Sequence, residues 1–183
     1  AITRAVNAQV SAGAFGGLLD LLDAAPPEQV SVIEHVWALV AAAEPLGLLL
    51  SAPRPDHALI QRVVVRCGSA AAPALLDALD ASPNGSLRDR MFAHLSSLGK
   101  GAAPAIAAHL ATTSPLIARE LLATLTRISP PAPPVEARAF LTHADPALRR
   151  EAARLLLLYD DTREPALAVA VRDDDERVAY AGL

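Results

Sequence analysis

The chain has 183 residues, of which 52% are hydrophobic and 20% charged, and its formal net charge is −4 at pH 7. This composition excludes an intrinsically disordered chain, and the acidic balance argues against a globally basic nucleic-acid-binding protein. Only 3% of the residues are aromatic, so the apolar content is mostly Ala and Leu, both strong helix formers. We therefore expect an all-α fold, and the length is sufficient for the core of one domain.

The N-terminal residues 1–44 form the least regular part of the predicted fold. Residues 1–25 are predicted to form one long or two short helices, weakened in the middle by the glycines of residues 13–17. Pro26 and Pro27 are expected to start the next helix. Its apolar stripe includes Val32, Val36, Trp37 and Val40. Such irregularity is typical of a terminal repeat, which must cover an open apolar face.

Prolines recur at intervals of about 30 residues in the remaining chain, and we look for a repeat at that period. They are Pro45, Pro73, Pro104, Pro134 and Pro165. Similar apolar residues at i, i+3 and i+4 spacing follow each proline, and residues 15–22 carry the same pattern without one. Proline suits the first helical turn, so each of these segments is predicted to be a short helix.

A second helix is predicted after a tight turn in each repeat, over residues 87–95, 117–125 and 148–156. The preceding turns are residues 82–85, 113–115 and 144–146, where Ser114 and Asp145 are good N-cap residues. In all three helices the first, fifth, sixth and ninth positions are apolar.

A unit of two short helices cannot bury its apolar stripe alone, and stacking of neighbouring units closes the core. We therefore predict one domain over residues 1–183, a right-handed α-solenoid of about six stacked antiparallel helix pairs. Residues 1–44 form its irregular cap and residues 45–183 its regular repeats. The chain starts without Met and ends partway through a helical pattern, so we expect a fragment of a longer protein.

Residues 145–156, with the sequence DPALRREAARLL, resemble the second helix of the HEAT-like repeats, in particular the short bacterial type. The resemblance covers residues 45–183 well and residues 1–44 loosely. It implies that Asp145 and Arg149 take part in bonds between neighbouring repeats. In the two preceding repeats the match is partial. At the position of Arg149, one repeat has Arg88 and the other has Ala118. At the position of Asp145 they have Ser82 and Ser114.

Polar residues repeat at equivalent positions of the second helices. In a solenoid of this type the second helices line the concave face, so these side chains are predicted to form a row with a spacing of about 10 Å. Arginines in the row suit carboxylates or phosphates, whereas its acidic members suit the arginines themselves. The row is therefore either a partner-binding groove or a self-neutralised, solvated face. It comprises Gln61, Arg62, Asp89, Arg90, Arg119, Glu120, Arg150, Glu151 and Arg154.

No catalytic, cofactor or metal site is predicted elsewhere in the chain. The histidines lack metal-ligand spacing, although His94 and Arg90 lie one helical turn apart. The acidic runs 160–161 and 173–176 precede predicted helices, where carboxylates cap free N–H groups, with a weak cation site as the alternative. Cys67 is interpreted as a buried core thiol, with activation by Arg66 as the alternative. The five histidines are His35, His57, His94, His109 and His143.

These features predict a cytoplasmic, non-enzymatic scaffold or regulatory repeat domain of a larger bacterial protein. Its partner is expected to be a protein bound on the concave face, with no cofactor, no nucleic acid and no membrane contact. Two alternatives rest on the HEAT-like resemblance alone. One is an enzyme similar to the HEAT-like bilin lyases, and the other is a DNA-binding solenoid similar to the HEAT-like base-excision glycosylases.

Overall fold

A computed structural model describes residues 8–9, 15–40, 43–50, 56–82 and 85–182. Within these ranges every regular element is a helix and none is a strand, which confirms the all-α prediction. The chain divides into two compact units, Ala1–Asn84 and Gly85–Leu183. The single solenoid domain and its regular stacking axis remain predictions.

Five α-helices are described in the first unit. They are α1 (Phe15–Asp23), α2 (Val30–Val40), α3 (Ala43–Leu50), α4 (His57–Cys67) and α5 (Ala72–Ala81), with 3-10 turns at Pro27–Gln29 and Gly68–Ala71. Helix α2 packs against α4, and α3 packs against α5. Helices that alternate along the chain are therefore spatial neighbours, and apolar side chains such as Val40, Ile60 and Leu75 are buried there.

The apolar stripe of α2 differs from the prediction by one residue. Val36, Trp37 and Val40 are buried as expected, but Val32 is 49% exposed and Ile33 is buried in its place. Ile33 precedes Trp37 by one turn and Val40 by two, so it shares their face, whereas Val32 is rotated about 100° away. Because Val32 also lies one turn before Val36, local spacing allowed either residue in the stripe, and the packing of α2 selected Ile33.

The second unit contains six α-helices and a long 3-10 segment. They are α6 (Gly85–Ser97), α7 (Ala103–Leu110), α8 (Pro115–Ile128), the 3-10 segment Val135–Thr142, α9 (Pro146–Leu156), α10 (Asp160–Ala170) and α11 (Glu176–Ala181). A 3-10 turn at Gly99–Ala102 leads into α7.

Each of the predicted second helices packs against the next one along the chain. Helix α8 contacts α6 and α9, and α9 also contacts α11. The 3-10 segment lies against α7 and α10, which come before and after it in the chain. The predicted stripes face these contacts, with Leu87 only half-buried. The buried members are Met91, Phe92, Leu95, Ile117, Leu121, Leu122, Leu125, Leu148, Ala152, Ala153 and Leu156.

Two of the five prolines, Pro73 in α5 and Pro104 in α7, lie in the first turn of an α-helix, as predicted. Pro45 lies in α3, and residues 41–42 before this helix are outside the described ranges. Pro134 instead caps a 3-10 helix, and Pro165 lies inside α10. The prediction for Pro165 is wrong because α10 begins five residues earlier, at Asp160, where acidic residues favour a helix N-terminus.

Two glycines have a positive φ at the start of similar turns. Gly68 and Gly99 have φ values of +57° and +60°, which only glycine adopts without strain, and each opens the 3-10 turn before a proline-containing helix. They are 31 residues apart, like Pro73 and Pro104. The positions of these two turns therefore agree with the predicted period of about 30 residues.

The helix N-termini show which predicted caps form. The Asp145 carboxylate accepts a hydrogen bond from the backbone N–H of Ala147 at 2.8 Å, so its predicted cap is confirmed. Ser114 occupies the N-cap position of α8 but makes no side-chain cap bond, which corrects that prediction. Pro83 and Asn84, within the turn predicted at residues 82–85, lie outside the described residues.

One continuous helical stretch of the described chain, His57–Ala81, is long and apolar enough to cross a membrane. Length and composition are the only support for that assignment, and 44% of its most apolar window is buried inside the protein. A core helix of a soluble protein passes the same test, so the stretch is weak support for membrane insertion.

Candidate functional site

Seven members of the predicted charged row lie on α6, α8 and α9 in the second unit. We call eight charged side chains of these three helices the polar face; Arg88 and Arg149 are not among them. It comprises Asp89, Arg90, Arg119, Glu120, Arg127, Arg150, Glu151 and Arg154. Asp89 and Arg90 are exposed, and Arg119 and Glu120 are half-buried. Because α8 packs against both α6 and α9, side chains of the three helices occupy adjoining parts of the surface.

Glu151 is a buried anchor rather than an exposed member of the row. Only 7% of the residue is accessible, and its Oε1 accepts hydrogen bonds from Arg150 Nε at 3.0 Å and Arg154 Nη1 at 3.3 Å. A further contact of 2.9 Å joins it to Arg150 Nη2. Glu151 therefore pairs with neighbouring arginines, as the self-neutralised interpretation of the row expected, but it is buried rather than solvated. One carboxylate holds two guanidinium groups in place.

Arg119 and Glu120 form an ion pair within α8. The Nε and Nη2 atoms of Arg119 donate to Glu120 Oε1 at 3.2 and 2.8 Å. This part of the polar face is self-neutralised, as one of the two alternative interpretations of the row expected.

Arg127 belongs to the same face, although it is not a member of the predicted row. Its Nη2 atom donates to Thr124 Oγ1 on α8 at 2.9 Å and lies 3.5 Å from Ser96 Oγ on α6. The contact places the last turns of α6 and α8 side by side. Arg127 follows Glu120 by seven residues, and this spacing, which keeps two side chains on one helix face, is the pattern that identifies it.

In the first unit, Gln61 and Arg62 are exposed on α4. Arg62 Nη2 contacts two carboxylates of α1, Asp20 at 3.1 Å and Asp23 at 3.0 Å. Hydrogen bonds with Asp23 and Asp20 raise the pKa of the Arg62 guanidinium above its usual value. This part of the predicted row is neutralised by its own unit.

Arg149 joins α9 to the turn before α11. Its Nε and Nη2 atoms each donate to a carboxylate oxygen of Asp173 at 2.7 Å, and its Nη1 donates to the backbone oxygen of His143 at 2.8 Å. The HEAT-like resemblance implied inter-repeat bonds through Arg149 and Asp145. Arg149 bonds Asp173 in the turn before α11, whereas Asp145 caps its own helix.

The Arg149–Asp173 pair is shielded from solvent, with 18% and 6% of the two side chains exposed. Hydrogen bonding to Arg149 holds the pKa of Asp173 below its usual value, and a bond from the backbone N–H of Asp175 adds to this effect. The acidic run 173–176 therefore has two roles. Asp173 forms the ion pair with Arg149, and Asp175 caps α11 by accepting a hydrogen bond from the backbone N–H of Arg177. In the run 160–161, Asp160 pairs with Arg163 at 2.6 Å.

A separate cavity of about 560 Å³ lies between α2 and α4 in the first unit. Its walls include Trp37, Arg66 and Cys67, and the guanidinium of Arg66 lies 5.7 Å from the centre of the Trp37 ring. Cys67 is half-buried rather than fully buried, and burial raises the pKa of its thiol to about 11. The thiol is therefore not activated by Arg66, and this alternative is wrong.

Among the described residues, no three His, Cys, Asp or Glu side chains are grouped to hold a metal ion. His94 is buried, His35 is exposed, and the other three histidines are half-buried. His143 Nδ1 accepts the backbone N–H of Asp145 at 3.0 Å, a structural contact in the turn before α9. No protein-family model matches the chain, and no curated protein or solved structure is similar enough to count as a relative.

Proposed function

We propose that the chain is a protein-interaction scaffold of the HEAT-like type, which binds a partner protein along the polar face of α6, α8 and α9. The observation that carries this proposal is the arrangement of arginines on three helices that pack in sequence order. A surface built on helices that support one another suits an extended partner.

Three structural features support a stacked-repeat architecture for this scaffold. Arg127 and Ser96 bring the ends of α6 and α8 together, and Arg149 joins the start of α9 to the turn before α11. The repeated glycine turns at Gly68 and Gly99 are a third feature, because they introduce equivalent helices. In such a stack the second helices line the concave face, and the polar face would be that surface.

The Cys67 thiol also favours a binding role over covalent catalysis. A thiol with a pKa of about 11 is almost entirely protonated at neutral pH, whereas nucleophilic cysteines depend on the thiolate. We extend the proposal to a non-enzymatic, cytoplasmic domain of a larger bacterial protein.

Photo-crosslinking on the polar face tests the proposal directly. Benzoylphenylalanine placed at Ala123, which lies between Arg119 and Arg127 on α8, is expected to crosslink a partner protein in cell lysate. The same photoreactive residue at exposed Ala168 on α10 serves as a control position. Equal crosslinking at the two positions would argue against a specific face.

Charge reversal provides the matched test. The triple variant Arg90→Glu, Arg119→Glu, Arg127→Glu is expected to lose at least tenfold of the Ala123 crosslink while its circular dichroism stays unchanged. Arg150 is left intact because its reversal would place a second carboxylate beside buried Glu151. The control variant reverses Arg138, Arg163 and Arg172, which are exposed on other elements. Undiminished crosslinking in the first variant would reject the proposed binding face.

A further inference from the structure

The charges of the polar face do not cancel, although the whole chain is acidic. Five arginines share the face with three carboxylates, whereas the formal net charge of the chain is −4. The arginines are Arg90, Arg119, Arg127, Arg150 and Arg154, and the carboxylates are Asp89, Glu120 and Glu151. The face is therefore a local positive surface on a negative protein, which attracts a negatively charged partner.

The surplus positive charge lies at the arginines of the polar face that have the fewest carboxylate contacts within the described chain. Arg127 bonds only hydroxyl groups within the described chain. Arg150 and Arg154 share the single Oε1 atom of Glu151, yet each guanidinium has five N–H donors. Most of these donors are left for an incoming acceptor.

Glu151 makes this arginine pair ready for binding. Its side chain is 9% exposed, against 28% for Arg150 and 51% for Arg154, so the carboxylate lies beneath and the guanidiniums lie at the surface. Fixing two flexible arginines before the ligand arrives lowers the entropy lost on binding. Buried Glu151 therefore acts as a positioning residue, and the arginines are the groups that touch the ligand.

The distance between packed helices sets the spacing of the carboxylates that a bound peptide should carry. Neighbouring packed helices lie about 10 Å apart, and an extended peptide advances about 3.3 Å per residue. A peptide crossing α6, α8 and α9 thus meets a new helix about every third residue. Carboxylates at i, i+3 and i+6 match that interval.

We propose that the polar face binds an extended acidic peptide segment whose carboxylates, about three residues apart, pair with Arg90 on α6, Arg127 on α8 and the Arg150–Arg154 pair on α9. This inference rests on the proposed scaffold function and names the chemistry of its partner. A peptide suits the face better than a nucleic acid, because Asp89 and Glu120 on the same face repel a continuous row of phosphates.

Fluorescence anisotropy with the full chain tests the inference. The probe is a fluorescein-labelled nonapeptide with glutamates at its second, fifth and eighth positions and serines between them, measured in about 20 mM salt. The comparison probes are the same peptide with glutamines, an isomer with its three glutamates adjacent, and a nine-nucleotide oligothymidylate. We expect the spaced glutamate peptide to bind most tightly and to weaken as salt is added.

Neutralising variants locate the contact. R127Q and R154Q are each expected to weaken binding of the spaced peptide about fivefold, as loss of one exposed ion pair predicts. R138Q and R172Q, on other elements, are the matched controls and should bind like the parent chain. Equal losses in the control variants would overturn the assignment of the face.

The remaining outcomes separate the inference from the function it rests on. Equal affinity for the glutamate and glutamine peptides, or tighter binding of the oligothymidylate, overturns the acidic-peptide inference. If no probe binds while the Ala123 crosslink persists, the inference fails and the scaffold function stands. If both are absent, the scaffold function fails as well.

Discussion

At the residue scale, the burial of a charged side chain decides what it does. Glu151 and Glu120 occupy the same position of successive second helices, yet Glu151 is buried beneath two arginines and Glu120 pairs with one at the surface. The sequence shows a carboxylate at this position of both helices. It does not predict whether the carboxylate is buried, because burial depends on what packs around the helix.

The Arg149–Asp173 ion pair makes a contribution to stability that can be tested. Because its pKa is lowered in the folded protein, Asp173 stabilises the fold above the usual aspartate pKa of about 3.9, and this contribution is lost as the pH falls through the lower folded value. D173N is expected to lose about 2 kcal/mol at pH 7 and progressively less as the pH falls below the usual aspartate pKa. Urea unfolding at several pH values measures the difference, with exposed Asp174→Asn as control. A deficit that does not depend on pH would contradict this account.

Cys67 is expected to be unreactive in the folded chain. Because burial disfavours the thiolate and raises the pKa to about 11, alkylation by iodoacetamide at pH 8 should be about 100-fold slower than in urea-unfolded protein. Mass spectrometry of the alkylated chain gives both rates. Similar rates in the folded and unfolded states would show that the thiol is not protected.

At the element scale, the two turns before α8 and α9 have different capping chemistry. Asp145 accepts a backbone N–H at the start of α9, whereas Ser114 makes no such bond at the start of α8. Both residue types favour the N-cap position, so propensity alone gives them similar roles. The orientation of each side chain, which the surrounding turn fixes, distinguishes them.

This difference predicts unequal costs for the same kind of substitution. D145A is expected to lower the free energy of unfolding by about 1 kcal/mol, because the Ala147 N–H loses its acceptor. S114A should cost less than about 0.5 kcal/mol, since no cap bond is removed. Urea denaturation at pH 7 compares the two variants. Equal losses would indicate that the Asp145 bond adds no stability.

At the scale of the whole molecule, the prediction of one domain can be tested by the cooperativity of unfolding. Trp37, the only tryptophan, lies in the first compact unit, so its fluorescence reports that unit, whereas circular dichroism reports all helices. A single solenoid domain is expected to unfold with coincident transitions by both probes. Two independent units would give separate midpoints.

Truncation of one buried side chain in the second unit makes this test more specific. L121A removes a fully buried side chain of α8 and should cost about 3 kcal/mol. In a single cooperative domain the variant shifts the Trp37 transition as well as the helical signal. L116A, at an exposed position of the same helix, is the control. A Trp37 transition that does not move would contradict the one-domain prediction.

Sequence was sufficient to predict the helical class, the helices that begin near Pro73 and Pro104, and the buried stripes of α6, α8 and α9. Apolar spacing and backbone preference are local properties, so they can be read along the chain. Tertiary contacts fixed three further features: the burial of Ile33 rather than Val32, the burial of Glu151 and the Arg149–Asp173 ion pair. These depend on which surfaces meet, and solvent exclusion at such contacts has no local pattern in the sequence.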